Sequence, residues 1–195
     1  NVDYYLKNFR FNDAAKEIYK FTKNIYCDWY LEFLKVYLLN NKAYKQNHEL
    51  RACAHDIFII ILKITHPFMP FVTDELYFNK MHNKKFLIEK NWPKPIKFGK
   101  VNKNILNIDN LINFISRIRK LRTDLKIGSK EVVKVLSVSS YKGKFTYLSK
   151  NVDLINNLAK VNFITHEKPV KIINEEFIKF VYKNNIFYIE TTDVQ

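Results

Sequence analysis

The chain has 195 residues, a formal net charge of +14, 47% hydrophobic and 15% aromatic residues, and only three glycines. That apolar content supports a packed core and excludes wholesale disorder, and no apolar run approaches the length of a bilayer-spanning helix. Cys27 and Cys53 are the only cysteines, which excludes a disulfide framework and a zinc quartet and suggests a reduced, cytoplasmic setting without membrane attachment. Position 1 is Asn rather than Met, so a piece of a longer protein is expected.

Residues 12 to 39 are expected to form one long helix. Ala14, Ile18, Phe21, Ile25, Trp29, Leu34 and Leu38 recur near the helical period. On this spacing Trp29 packs in the core, and Cys27 is read as a small buried hydrophobe. A polar loop to Asn47 follows. A second helix is expected from His48 to Thr65, with a stripe of Leu50, Ala54, Ile57, Ile61 and Ile64. Pro67 and Pro70 then force a corner, and Thr73 is the expected N-cap of the next helix. Residues 79 to 104 read as a connector rich in Asn, Lys and Pro. A further helix is expected over 104 to 126, with Gly128 at or after its end. Beyond it come a β-branched strand at Val133 to Val138, an amphipathic helix at Lys150 to Lys160, and a weak strand at Asn162 to Thr165. Phe177 to Tyr182 and Ile186 to Thr191 read as strands around a turn at Lys183-Asn184-Asn185. The expected fold is mainly α: an antiparallel helical bundle over 1–128, with the connector 79–104 inside it, followed by a small α+β unit over 129–195.

Catalytic and metal signatures are lacking. Three glycines, Gly99, Gly128 and Gly143, build no phosphate-cradling loop. The five histidines are scattered without ligand spacing. Asp28 and Glu32 share a helical face, but Lys35 stands ready to pair with Glu32.

The basic balance suggests a polyanionic partner, nucleic acid ahead of membrane. A sequence rich in Lys, Asn and Ile carries some of that charge as compositional drift. The arginines are more telling. Three of the five, Arg117, Arg119 and Arg122, fall within six residues, where planar multi-donor geometry would matter. On a helical wheel Arg117 and Lys120 lie off the apolar stripe, Arg119 at its edge, and Arg122 near its middle. Two readings of Arg122 stand side by side: a side chain snorkelling from a helix end, or a cation at a groove for phosphate or base contact.

Four segments together resemble one family. YCDWYLEFLK (Tyr26 to Lys35), ITHPFMPFVTDELYF (Ile64 to Phe78), NWPKP (Asn91 to Pro95) and IRKLRTDLKI (Ile118 to Ile127) are similar, in the same order, to segments of the C-terminal helical domain of valyl-tRNA synthetases. Tyr77 stands where that family usually has Trp, Asp124 near a usual Glu, and Gly128 near a usual Pro. The resemblance implies the anticodon-binding bundle of a class I aminoacyl-tRNA synthetase. It implies valine-accepting tRNA as partner, together with the catalytic and editing domains of the same chain. ATP and magnesium are implied for the whole enzyme and no cofactor for this piece, which carries neither HIGH-type nor KMSKS-type signature and is expected to catalyse nothing. Related isoleucyl- or leucyl-type anticodon domains, and a non-enzymatic RNA-binding or protein-interaction module, are the alternatives. The residues expected to touch RNA are Arg117, Arg119, Lys120, Arg122 and Lys126 from the late helix, with Arg10, Phe11 and Lys35 from the first helical region.

Overall fold

The computed structural model describes residues 1–40, 48–80, 85–95, 103–138, 146–166, 177–183 and 185–191. The expected loop at 41–47, parts of the connector (81–84 and 96–102) and Asn184 of the expected turn lie outside them. The described chain is mostly helical, with one four-stranded mixed sheet formed by its later residues. It divides into two compact units, 1–99 and 100–195.

The first unit opens on a short helix that the periodicity did not announce, α1 (Val2–Lys7). It ends on Phe9, which adopts a left-handed φ of 57°. The Phe9 N–H bonds the Leu6 carbonyl, and the Arg10 N–H bonds the Tyr5 carbonyl, the pairing that closes a helix through one left-handed residue.

The long first helix is present, but it is not uniform. It comprises α2 (Phe11–Lys20), a wider π-helical stretch (Phe21–Tyr30) and α3 (Leu31–Asn40). At the end of the wide stretch the Leu31 N–H reaches back five residues to the Tyr26 carbonyl. The inward row through α2 and the wide stretch is Ala14, Ile18, Thr22, Tyr26 and Tyr30. Phe21 and Ile25, expected inside, are exposed. Trp29 is half-buried, edge-on to Phe33, and Cys27 is exposed rather than buried. Tyr26 is the buried aromatic: it stacks on Tyr30 and Phe58, and its hydroxyl approaches the Ala54 carbonyl at 3.5 Å. These contacts hold the wide stretch against α4 (His48–Thr65), whose bounds match the expected helix.

At the proline corner the next helix, α5 (Pro70–Glu75), starts four residues earlier than expected. Pro70 occupies its first turn and Met69 is the N-cap. Thr73 is therefore not a cap. It is buried, its hydroxyl bonds the Met69 carbonyl at 2.8 Å, and it meets His66 Nδ1 at 2.7 Å. Nearby, Leu62, Tyr77 and Leu87 form a small core. An Asp74 carboxylate oxygen accepts the Leu87 N–H at 2.8 Å, tying the connector to it. Trp92 Nε1 donates to Asp3 at 2.7 Å, so the Trp-Pro connector reaches back to α1.

The second unit holds α6 (Lys103–Asp124), β1 (Val133–Val138), α7 (Thr146–Ser149), α8 (Val152–Ala159), β2 (Val161–His166), β3 (Phe177–Tyr182) and β4 (Asn185–Glu190). The sheet order is β2-β1-β4-β3; β1 runs parallel to β2, and the other neighbours are antiparallel. A parallel pair needs a crossover connection, and α7 and α8 lie in it. The compact units part after Gly99, ahead of the boundary expected at 128, because α6 buries its apolar stripe on this sheet. Fully buried Phe114 lies 4.9 Å from Phe187, 5.2 Å from Tyr182 and 5.6 Å from Phe163, centroid to centroid.

Candidate nucleic-acid interface

The expected RNA-contacting residues are divided between the two units. Arg10, Phe11 and Lys35 belong to the first unit, and the other five to the second. Arg10 precedes α2 and is held from two sides: its Nε bonds Asp13 at 2.8 Å, and its guanidinium carbon lies 4.9 Å from the centre of the Tyr5 ring. Phe11 is 53% exposed beside Phe9, which is 81% exposed, with the rings edge to face at 6.2 Å. Phe9 lies outside the set expected from the sequence, next to Arg10 and Phe11. Lys35 is exposed and pairs with Glu32 at 2.6 Å. It stands about 35 Å along the helical run from Phe11 at ~1.5 Å per residue, so it shares no compact site with Arg10.

On α6, Arg117 and Lys120 are exposed, as the wheel requires of residues opposite the buried stripe. Arg119 is exposed yet anchored, its Nε donating to the Leu158 carbonyl at 2.9 Å.

Arg122 takes neither course expected of it. Only 7% of it is exposed. One Nη donates to the Lys160 carbonyl at 2.6 Å, and the other donates to the Gly128 and Glu131 carbonyls at 2.7 and 2.8 Å. Burial lowers the pKa of its guanidinium from the ordinary value, and the negative charge of Glu131 opposes that. The cation joins the end of α6 to the approach to β1 and to the α8–β2 turn. An Arg on an apolar arc thus finds backbone carbonyls that no helix or ladder satisfies.

Lys126 is exposed and ends α6 in the left-handed region, φ 55°. Its N–H bonds the Thr123 carbonyl, and the Ile127 N–H bonds the Arg122 carbonyl. The helix therefore closes on Lys126 and not on Gly128, whose carbonyl instead serves Arg122. A Cβ added at Gly128 would lie 2.6 Å from a Glu131 carboxylate oxygen.

No three His, Cys, Asp or Glu side chains cluster as a metal site among the described residues. No described helix is long and apolar enough to cross a membrane.

The outward cations Arg117 and Lys120 on a packed helix give the second unit a charged face suited to an anionic partner. The family model for the anticodon-binding domain of tRNA ligase matches residues 1–137, and the chain belongs to that family. Among similar proteins, the valine–tRNA ligase of Pelagibacter ubique (strain HTCC1062) is 32% identical over 161 residues, covering 80% of this chain and 18% of that protein. The valine–tRNA ligase of Agrobacterium fabrum (strain C58) is 32% identical over 163 residues, covering 82% and 17%. That of Nitrobacter winogradskyi is 42% identical over 90 residues, covering 45% and 9%. The chain thus spans less than a fifth of the length of these relatives.

Proposed function

We propose that this chain is the tRNA-recognising part of a valine–tRNA ligase, acting in the cytoplasm, and that it reads the anticodon stem-loop of valine-accepting tRNA. The observation that carries the reading is the anticodon-binding family match across 1–137, joined to relatives that are valine–tRNA ligases. The helices of the first unit would belong to the antiparallel bundle that class I synthetases use for this task.

Unpaired loop bases are splayed out and stacked on aromatic or guanidinium planes, while cations hold phosphates. Arg117 and Lys120 have the exposure for phosphate contact, with Arg119 and Lys126 beside them in sequence. Phe11, with Phe9, offers a stacking surface next to Arg10. Lys35 is a peripheral contact. Arg122 is withdrawn from this set, because its donors are spent on backbone carbonyls.

Joining valine to its tRNA with ATP and magnesium would be the work of the catalytic and editing domains of the same polypeptide. Hydroxyl-radical footprinting of a valine tRNA with this chain tests the reading. Protection centred on the anticodon loop is expected; protection spread evenly over the tRNA contradicts it.

A further inference from the structure

The Arg122 guanidinium fixes a geometry that the anticodon reading does not use. It draws the carbonyls of Gly128, Glu131 and Lys160 to within 2.8 Å of its nitrogens. Arg119 adds a second tie between the same two elements, α6 and α8, through Leu158. The ends of these helices therefore meet at one place. Lys126 is two residues from Gly128, Lys130 is adjacent to Glu131, and Lys160 is itself a clamped residue. With successive Cα atoms about 3.8 Å apart, all three lysines start within about 13 Å of one guanidinium. All three are exposed. Among the described residues no carboxylate pairs with them. The carboxylates nearest in sequence are Asp124 and Glu131, and Glu131 faces Arg122.

Two of these lysines occupy positions that favour glycine. Lys126 has φ 55° and Lys160 has φ 54°, and each closes a helix in the left-handed region. Glycine is the usual residue there, since a side chain costs conformational energy. A cation at a helix end gains something from the helix dipole. Both helices nevertheless carry a lysine at this strained position, on the same corner of the same unit.

We infer that this corner, made of Lys126, Lys130 and Lys160 on the Arg122 clamp, is a surface that grips the phosphate backbone of the bound RNA without reading its sequence. The inference rests on the tRNA reading proposed above and extends it to residues beyond the α6 arginines. It gives the small α+β unit a part in binding: α8 and the segment entering β1 present cations at a spacing set by the clamp, beside whatever the anticodon contacts supply. Phosphate contacts position a nucleic acid, and base contacts specify it.

The test is a triple variant of the whole chain, Lys126→Gly, Lys130→Gln and Lys160→Gln, with Lys160→Gly as a second form. Glycine adopts the left-handed conformation freely, so the fold is kept while the charge is removed. Binding of a valine tRNA, and of the same tRNA altered in its anticodon, is titrated across a salt series. A control triple replaces exposed Lys7, Lys16 and Lys20 by Gln. Each lost phosphate contact lowers the salt slope by roughly 0.7 to 0.9. The expected result is a slope smaller by about two, affinity for both RNAs lower by about tenfold, an unchanged ratio between them, and an unfolding midpoint equal or higher. An unchanged slope, or one changed equally by the control triple, overturns the inference. If the unaltered chain binds both RNAs equally, anticodon reading fails while the slope comparison still decides the phosphate surface. If the unaltered chain binds neither RNA, both readings fall.

Discussion

Replacing Arg122 by Met removes a buried cation and keeps a side chain of similar reach. The carbonyls of Glu131 and Lys160 lose their guanidinium donors, while that of Gly128 loses one but keeps the Glu131 N–H at 3.1 Å. A buried acceptor left without a partner costs about 1–3 kcal/mol, and breaking a buried charged network costs about 3–5 kcal/mol. Met regains part of this, because the desolvation that depresses the guanidinium's pKa is no longer incurred. A net loss of about 3 kcal/mol is expected, a large share of a domain's marginal stability. Arg122→Lys retains the charge but presents a compact ammonium that cannot span three diverging carbonyls, and about half that loss is expected. Tryptophan fluorescence is the wrong probe, since Trp29 and Trp92 both belong to the first unit. Amide hydrogen exchange in Val133–Val138 and Val161–His166 reports the second unit directly. Protection should fall there in both variants, more in the Met variant. A loss below about 1 kcal/mol in protection, together with lost discrimination between tRNAs, would refute the reasoning and return Arg122 to the RNA.

Phe114→Ala empties the centre of the aromatic cluster on the sheet, where the ring has no exposure. A loss of about 3–5 kcal/mol is expected by hydrogen exchange in the same strands. Thr73→Val removes the hydroxyl that bonds the Met69 carbonyl and meets His66; urea unfolding followed by tryptophan fluorescence should show a loss of about 1–2 kcal/mol. Burial pushes Tyr30 and Tyr147 up to about 12, and the Tyr30 hydroxyl donating to the Cys53 sulfur adds to the rise there. In the unfolded chain both ionise near 10, so the folded state holds their protons more tightly. Their contribution to stability is complete below pH ~10 and is lost as pH rises from ~10 to ~12. Tyrosinate absorbance should show a late-titrating group of tyrosines that disappears in denaturant.

Much of this architecture was legible in the sequence because local periodicity governs it. The apolar stripe of His48–Thr65 gave that helix its observed bounds, and the β-branched run at Val133–Val138 is a strand as read. The failures are those of long-range geometry. The first helix widens to a π-helical turn over Phe21–Tyr30, and a 3.6-residue wheel then places Phe21, Ile25 and Cys27 inside, though all three are exposed. Thr73 looks like a cap when Pro70 is read only as a breaker; the same ring fits a helix's first turn. Left-handed closure on Phe9, Lys126 and Lys160 has no signal in residue types that usually avoid it. The partners of Arg122 include Lys160, 38 residues away, and no spacing rule reaches that far. The wheel did register that a cation stood on an apolar arc, which was the right place to look for an unusual role. The exposed set was more accessible: Arg117 and Lys120 are outward because the opposite face of α6 is core.

The role proposed for this chain is to distinguish an anticodon. Its most direct test is a binding titration of the chain with a valine tRNA and with the same tRNA changed only in its anticodon, at two matched salt concentrations. Tighter binding of the unchanged tRNA is expected at both salts, with both affinities falling as salt rises. Equal binding of the two tRNAs at both salts would contradict it.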